Sequence, residues 1–187
     1  MAIFSFLKTA IRDIANVGDV APSSSYVIKR VIETLPKGVK TIVEYGPGDG
    51  IITKELLKQL PLDGRLLAIE LNAEFIEKMK KIKDPRLTVI AGDAVRAHEI
   101  VQENNMGPVD AVVSGIPFTF SYFFIPNEVK RAIFESTRKL LRPKGIFIQY
   151  QSSLLMRRFL KEHFSISFVY EPRNFPPYFV IRAERKD

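Results

Sequence analysis

Short β-branched apolar runs and longer amphipathic stretches take turns along this chain, and their spacing predicts its elements. Residues 41–45 form a compact apolar run that reads as a buried strand, and residues 46–50 (Gly46-Pro47-Gly48-Asp49-Gly50) read as a turn. Residues 51–59 follow with Ile51, Ile52, Leu56 and Leu57 at helical spacing. A second strand is predicted over 66–70. A helix over 73–81 carries Phe75, Ile76 and Met79 on one face. Third and fourth strands are predicted over 87–90 and 109–113. A helix over 128–141 stops before the turn signal Pro143-Lys144-Gly145, and a fifth strand occupies 146–150. Residues 164–170 and 178–183 read as a closing β pair. Strands alternating with helices predict βαβ units and a parallel sheet covered on both faces, so the expected class is α/β and Rossmann-like. The closing pair is expected to add an antiparallel edge strand.

The first 22 residues have a different pattern. Ile3, Leu7, Ala10, Ile11 and Ile14 fall on one helical face, with Lys8, Arg12 and Asp13 away from it. This predicts an N-terminal amphipathic helix and linker over 1–22, ahead of a single domain over 23–187 whose first helix follows Ser24. Such a helix either lies in a bilayer interface or packs on protein, and the periodicity fits both.

Composition narrows the chemistry. The 187 residues include no cysteine, which excludes disulfides, thiolate metal sites and cysteine nucleophiles, and only two histidines, so no metal is expected. Net charge is +7 and the pI is near 9.6, which favours anionic partners: an acidic membrane surface or nucleic acid. No apolar run approaches the roughly 20 residues that span a bilayer, and the N-terminus lacks the basic start of a signal peptide. The expectation is a cytoplasmic protein attached peripherally to the inner face of the membrane.

The candidate chemistry gathers at the ends of the first three strands. Glu44 lies at the end of the first strand, one residue short of the loop that carries Gly46, Gly48 and Gly50. The spacing is not the G-x-G-x-x-G of dinucleotide folds, and no Gly-Lys-Ser/Thr of a phosphate-binding loop follows. An acid at the strand end repels a pyrophosphate and suits a cation. Glu70 closes the second strand about twenty residues on, the spacing at which a carboxylate reaches ribose hydroxyls. Asp93 follows the third strand in Ala91-Gly92-Asp93-Ala94.

These segments, E-x-G-x-G-x-G, A-I-E, G-D-A and L-x-P-x-G, resemble class I S-adenosylmethionine-dependent methyltransferases over most of the chain. The resemblance implies a seven-stranded sheet with the last strand antiparallel. It implies S-adenosylmethionine as cofactor, S-adenosylhomocysteine as product, and a cofactor site formed by Glu44, Gly46, Gly48, Gly50, Glu70, Leu71, Asp93, Ala94 and Ser114. The glycines would face the methionine part, Glu70 the ribose and Asp93 the adenine. At the end of the fourth strand, Ser114, Gly115 and Ile116 stand where such enzymes face the acceptor, with Tyr122 nearby. The rRNA adenine dimethyltransferases carry Asn-Leu-Pro-Tyr or close to it there, whereas this chain has Ser114-Gly115-Ile116-Pro117-Phe118, with an extra glycine and no asparagine.

Residues 20–24, 112–117 and 173–177 together resemble the bacterial phospholipid N-methyltransferases, which methylate phosphatidylethanolamine. That implies a phospholipid substrate, with Tyr26, Phe118, Arg173, Asn174 and Tyr178 as substrate-binding candidates. Tyr170 and His163 are further candidates for handling the amine, as are Arg157 and Arg158 for a lipid phosphate. The aromatic run 118–124 could line a lipid pocket, hold an ammonium or stack a flipped base. An RNA adenine N6-methyltransferase and a non-catalytic module binding acidic membrane or nucleic acid are the alternatives.

Overall fold

The structure, a computed structural model, describes residues 24–118 and 125–187. The predicted helix and linker over 1–22, Tyr122 and the rest of the aromatic run after Phe118 lie outside the described residues. The elements in chain order are α1 (Ser25–Thr34), β1 (Thr41–Tyr45), α2 (Ile51–Gln59), β2 (Arg65–Glu70), α3 (Ala73–Met79), β3 (Leu87–Ala91), α4 (Ala97–Glu103), β4 (Val109–Ser114), α5 (Asn127–Leu140), β5 (Leu141–Gln151), α6 (Arg157–Leu160), β6 (Phe164–Glu171) and β7 (Tyr178–Arg185). Local chemistry sets the starts. Ser24 Oγ accepts from Val27 N at the head of α1, and Asn72 Oδ1 accepts from Glu74 N and Phe75 N at the head of α3.

The seven strands are ordered β3-β2-β1-β4-β5-β7-β6. Strands β1 to β5 run parallel, and β7 is antiparallel to both β5 and β6. Alternation along each strand divides the core in two. Ile42, Leu66 and Ile148 pack with Val27 and Val31 of α1, Leu56 of α2 and Met79 of α3. Val43, Leu67 and Phe147 pack with Ile100 of α4, Ile133 and Phe134 of α5 and Phe159 of α6 on the other face.

Three readings of the sequence change. The last strand is antiparallel as expected, but it is not the edge: β7 slots between β5 and β6, so β6 is the edge strand. Strand β5 begins at Leu141, directly after α5, and the turn residues are carried within it as an irregularity. Leu141 faces Val109, pairing resumes at Ile146 opposite Ala111, and Lys144 takes a positive φ of 60°. The short helices α4 and α6 were not anticipated, because seven and four residues are too few to show a helical period.

Candidate active site

The chain leaves β1 toward β2 and β3 on one side and returns to β4 on the other. The carboxyl ends of β1 and β4 therefore bound the crevice in which sheets of this topology bind ligands. Gly46, Gly48 and Gly50 all hold positive φ, at 61°, 58° and 78°. A Cβ on Gly50 would stand 2.7 Å from Met79 Sδ, so that position is closed by packing as well as by conformation. No atom lies within 4 Å of where a Cβ on Gly48 would stand, so the loop faces open space there.

Three buried acids stand at or just past the carboxyl ends of β1, β2 and β3, and Glu70 bonds to the loop at Gly48. Glu44 lies on the α2 side of β1 and is essentially unexposed. Its Oε2 accepts from Thr53 Oγ1 at 2.6 Å, and its Oε1 is buried with no hydrogen-bond partner. Burial, helped by the neighbouring charges of Glu70 and Asp49, pushes its pKa up to about 8 against the pull of Thr53. Glu70 ends β2 and curls back, Oε1 accepting from Leu71 N at 2.8 Å and Asn72 N at 2.9 Å, Oε2 from Gly48 N at 3.2 Å. Asp93 follows β3 and accepts from Val95 N at 2.9 Å, capping the short turn in which Ala94 is buried. Burial raises both of these carboxyls as well. A buried carboxylate with an unpartnered oxygen, beside glycines that leave room, suits a cationic ligand and would repel a phosphate. The donor set therefore fits S-adenosylmethionine: Glu44 and the glycine loop would hold its cationic end, Glu70 its ribose and Asp93 its base.

The other half of the crevice is built from β4, β5 and the ends of α1 and β7. Gly115 N donates to Tyr45 O at 2.8 Å, Ile116 N to Ser114 Oγ at 3.3 Å, and Gln149 Nε2 to Ile116 O at 2.9 Å. The Ser114-Gly115-Ile116 turn is thus gripped on both sides. A Cβ on Gly115 would lie 2.6 Å from the Tyr150 hydroxyl and 2.7 Å from Gly46 O, so only glycine fits without displacement. Tyr150 and Tyr178 share this region. Burial raises both phenols, and Glu44 and Tyr178 push Tyr150 higher still, so each stays neutral.

The remaining predicted residues separate. The Arg173 guanidinium lies 4.0 Å from the centroid of the Tyr26 ring and donates through Nε and Nη2 to the buried carboxylate of Glu171. Asn174 is buried, accepting from Ser24 N at 2.9 Å and donating to Pro176 O at 2.8 Å. Arg173, Asn174 and Tyr26 thus join the β6–β7 loop to the head of α1. Phe118 is fully buried in the core, 5.1 Å from Phe134. Tyr170 lies half-exposed on edge strand β6. His163 directly precedes β6, whose first residue is level with the amino end of β1, so it lies far from the crevice. Sequence reasoning passed over Thr53, Gln149 and Tyr150. The available signals were a threonine among the apolar positions of α2 and polar residues closing the apolar strand β5.

Fold and crevice together define an α/β methyltransferase of the doubly wound class that takes S-adenosylmethionine. A family profile described as "Methyltransferase domain" matches residues 42–145, more than half the chain, and the chain belongs to that family. An ornithine lipid N-methyltransferase from Singulisphaera acidiphila is 28% identical over 93% of this chain and 91% of its own length. A ribosomal RNA small subunit methyltransferase A from Thiobacillus denitrificans is 34% identical, but over 46% of this chain and 31% of that protein. In structure, the chain resembles the N-methyltransferase NodS from Bradyrhizobium japonicum WM9, solved with S-adenosyl-L-homocysteine, at a TM-score of 0.69 and 14% identity, over 90% of each chain.

Proposed function

We propose that this protein methylates the primary amine of a lipid headgroup, phosphatidylethanolamine or an ornithine lipid, working at the inner face of the membrane as a peripheral protein. The observation that carries this reading is the end-to-end match to a lipid N-methyltransferase, set against rRNA relatives matched over about a third of their length. The acceptor turn supports it, since Ser114-Gly115-Ile116-Pro117-Phe118 lacks the asparagine of the nucleobase enzymes. No helix among the described residues is long and apolar enough to cross a membrane.

S-adenosylmethionine, when bound, supplies an activated methyl group on a sulfonium. This chain's task is then alignment and handling of the amine. The clamped Ser114-Gly115-Ile116 turn fixes the wall on the acceptor side. Tyr150 and Tyr178, held neutral, can accept a hydrogen bond from an amine N–H and aim its lone pair. An amine that has released its proton to water would form the nitrogen–carbon bond as the methyl–sulfur bond breaks, the sulfur leaving as the neutral thioether of S-adenosylhomocysteine. Arg173, with Nη1 outside its bonds to Glu171, is the candidate for the headgroup's anion, a phosphate in one lipid and a carboxylate in the other.

Transfer of labelled methyl to liposomes containing phosphatidylethanolamine, to liposomes containing ornithine lipid and to unmethylated rRNA, run in parallel, tests the reading. Label in either lipid fraction, abolished in Glu44→Ala, is the expected result. Label in RNA alone overturns it.

A further inference from the structure

The carboxyl edge of the sheet carries two apolar protrusions that the crevice does not use. Gln151 of β5 pairs with Phe179 of β7, and Glu171 of β6 pairs with Tyr178. The β5–α6 loop and the β6–β7 loop therefore leave the same edge as the acceptor turn, their roots about 10 Å apart across β7. Phe175 in the second loop is 90% exposed, and Leu155 in the first is 75% exposed.

The exposure of Phe175 is built into the loop. On one side Glu171 is buried and accepts from Arg173 N as well as from its guanidinium. Next to the ring Asn174 is buried and bonded to Ser24 N and Pro176 O, and Pro176-Pro177 stiffen the exit. The loop is pinned on both sides while the ring stands out. Ordering an apolar side chain in advance removes part of the entropy cost of inserting it elsewhere.

Cations flank the other protrusion. Arg157, Arg158 and Lys161 line a shallow surface groove of about 400 Å³ with Leu154 and Leu155. No carboxylate among the described residues pairs with these three cations. Arg158 stacks over Phe159, whose ring also faces Lys130 and Arg131 near the start of α5. Arg131 is paired with Glu162. The result is a concentration of positive charge next to exposed leucine, on the segment that leaves the carboxyl edge of the sheet after β5.

We propose that these two loops form a membrane-docking rim: Phe175 and Leu155 enter the interface of an anionic bilayer while Arg157, Arg158 and Lys161 lie against its headgroups. This deepens the lipid-amine reading and rests on it for its purpose, because the rim would set the crevice mouth at headgroup level. An aliphatic Leu155 beside the cations favours lipid over nucleic acid, since it offers no ring on which a base could stack.

Binding is measured by co-sedimentation of the intact chain with phosphatidylglycerol–phosphatidylcholine vesicles, which contain no amine to methylate. Removing a cation near an anionic leaflet weakens binding about fivefold, so Arg157→Gln with Arg158→Gln should cost about thirtyfold at low salt and little at high salt. Leu155→Ser with Phe175→Ser should cost about tenfold at both salts. Cofactor binding should be unchanged in both, and methylation of a monomeric short-chain amine lipid should be unchanged in the Leu155→Ser, Phe175→Ser variant. The chain has no tryptophan, so Phe175→Trp supplies a single reporter in a folded protein. A blue shift with anionic vesicles is expected. Unshifted emission, wild-type vesicle binding in both double variants, or a loss confined to RNA binding would overturn the proposal. Vesicle binding that falls as expected, with no lipid amine methylated by any version, would leave the rim standing and sink the substrate assignment.

Discussion

The two halves of the crevice are held by different kinds of bond. On the donor half, Glu70 reaches Leu71 and Asn72, Asp93 reaches Val95, and Glu44 reaches Thr53 one element later. On the acceptor half, Gly115 hangs from Tyr45, Ile116 from Gln149, and Ser24 from Asn174, across separations of 33 to 150 residues in the last two cases. The donor half is mostly local turns, with one bond of 22 residues' separation from Gly48 N to Glu70. The acceptor half exists only once the whole sheet is assembled. Changes in the first should alter ligand affinity with little effect elsewhere, while changes in the second should spread.

The largest effect is expected at Glu44. Replacing it with glutamine should weaken S-adenosylmethionine binding about a hundredfold by calorimetry, the scale of a lost charge-assisted contact in a buried site. The same carboxyl gives the binding a pH dependence. With its pKa at about 8 before ligand binds, it is neutral at lower pH, and pairing with a cation requires proton release. Affinity in the parent protein should therefore climb as pH rises from 6 to 8, by up to about tenfold per unit, and the climb should vanish in Glu44→Gln. Stability moves the opposite way. The folded protein binds a proton that the unfolded chain has released above an ordinary value of 4.5, so folding stability from this group falls as pH rises between 4.5 and about 8. A flat affinity profile in the parent would place the cation away from Glu44 and undo the donor-half assignment.

Gly115→Ala comes next. The added methyl meets the Tyr150 hydroxyl and the Gly46 carbonyl oxygen at once, and should cost about 1–3 kcal/mol by denaturant titration, with methyl transfer falling alongside. Adding Tyr150→Phe should recover only part of the loss, because the clash with Gly46 is with backbone. Full recovery would mean that the turn is looser than its hydrogen bonds imply.

Tyr150→Phe alone sharpens the division. It should lower kcat/KM for the acceptor by about tenfold, near the net contribution of one hydrogen bond, while the cofactor Kd stays put. A change in cofactor Kd instead would merge the two halves. The smallest effect is expected at Asn174→Ala, which leaves Ser24 N without its acceptor and should cost about 1–2 kcal/mol of stability.

The same contrast explains what could be read from the sequence. Each donor-side acid stands beside its own strand and turn, so Glu44, Glu70 and Asp93 were legible as a pattern within short windows. The strands of the parallel sheet were legible because burial on both faces makes them continuous apolar runs. Tyr150 was not legible, because nothing near it records that its hydroxyl ends up against Gly115, 35 positions earlier in the numbering of the chain. The internal place of β7 was hidden for the same reason: pairing partners across a sheet leave no local trace. Arg173 and Asn174 were picked out by resemblance, and their bonds to Glu171 and Ser24 add a brace that no motif describes.

That brace has a consequence for how the molecule comes into being. Ser24 waits for Asn174, and Arg30 for Glu171, so the first described helix finds its partners only after 150 and 141 further positions. Contacts of such range are slow to form, and a chain emerging from the ribosome makes them last. The local turns of the donor half can close while synthesis is still under way. The wall facing the acceptor cannot be finished until the final hairpin folds back. A nascent chain should therefore acquire the parts of its donor pocket before it has anywhere to place an acceptor.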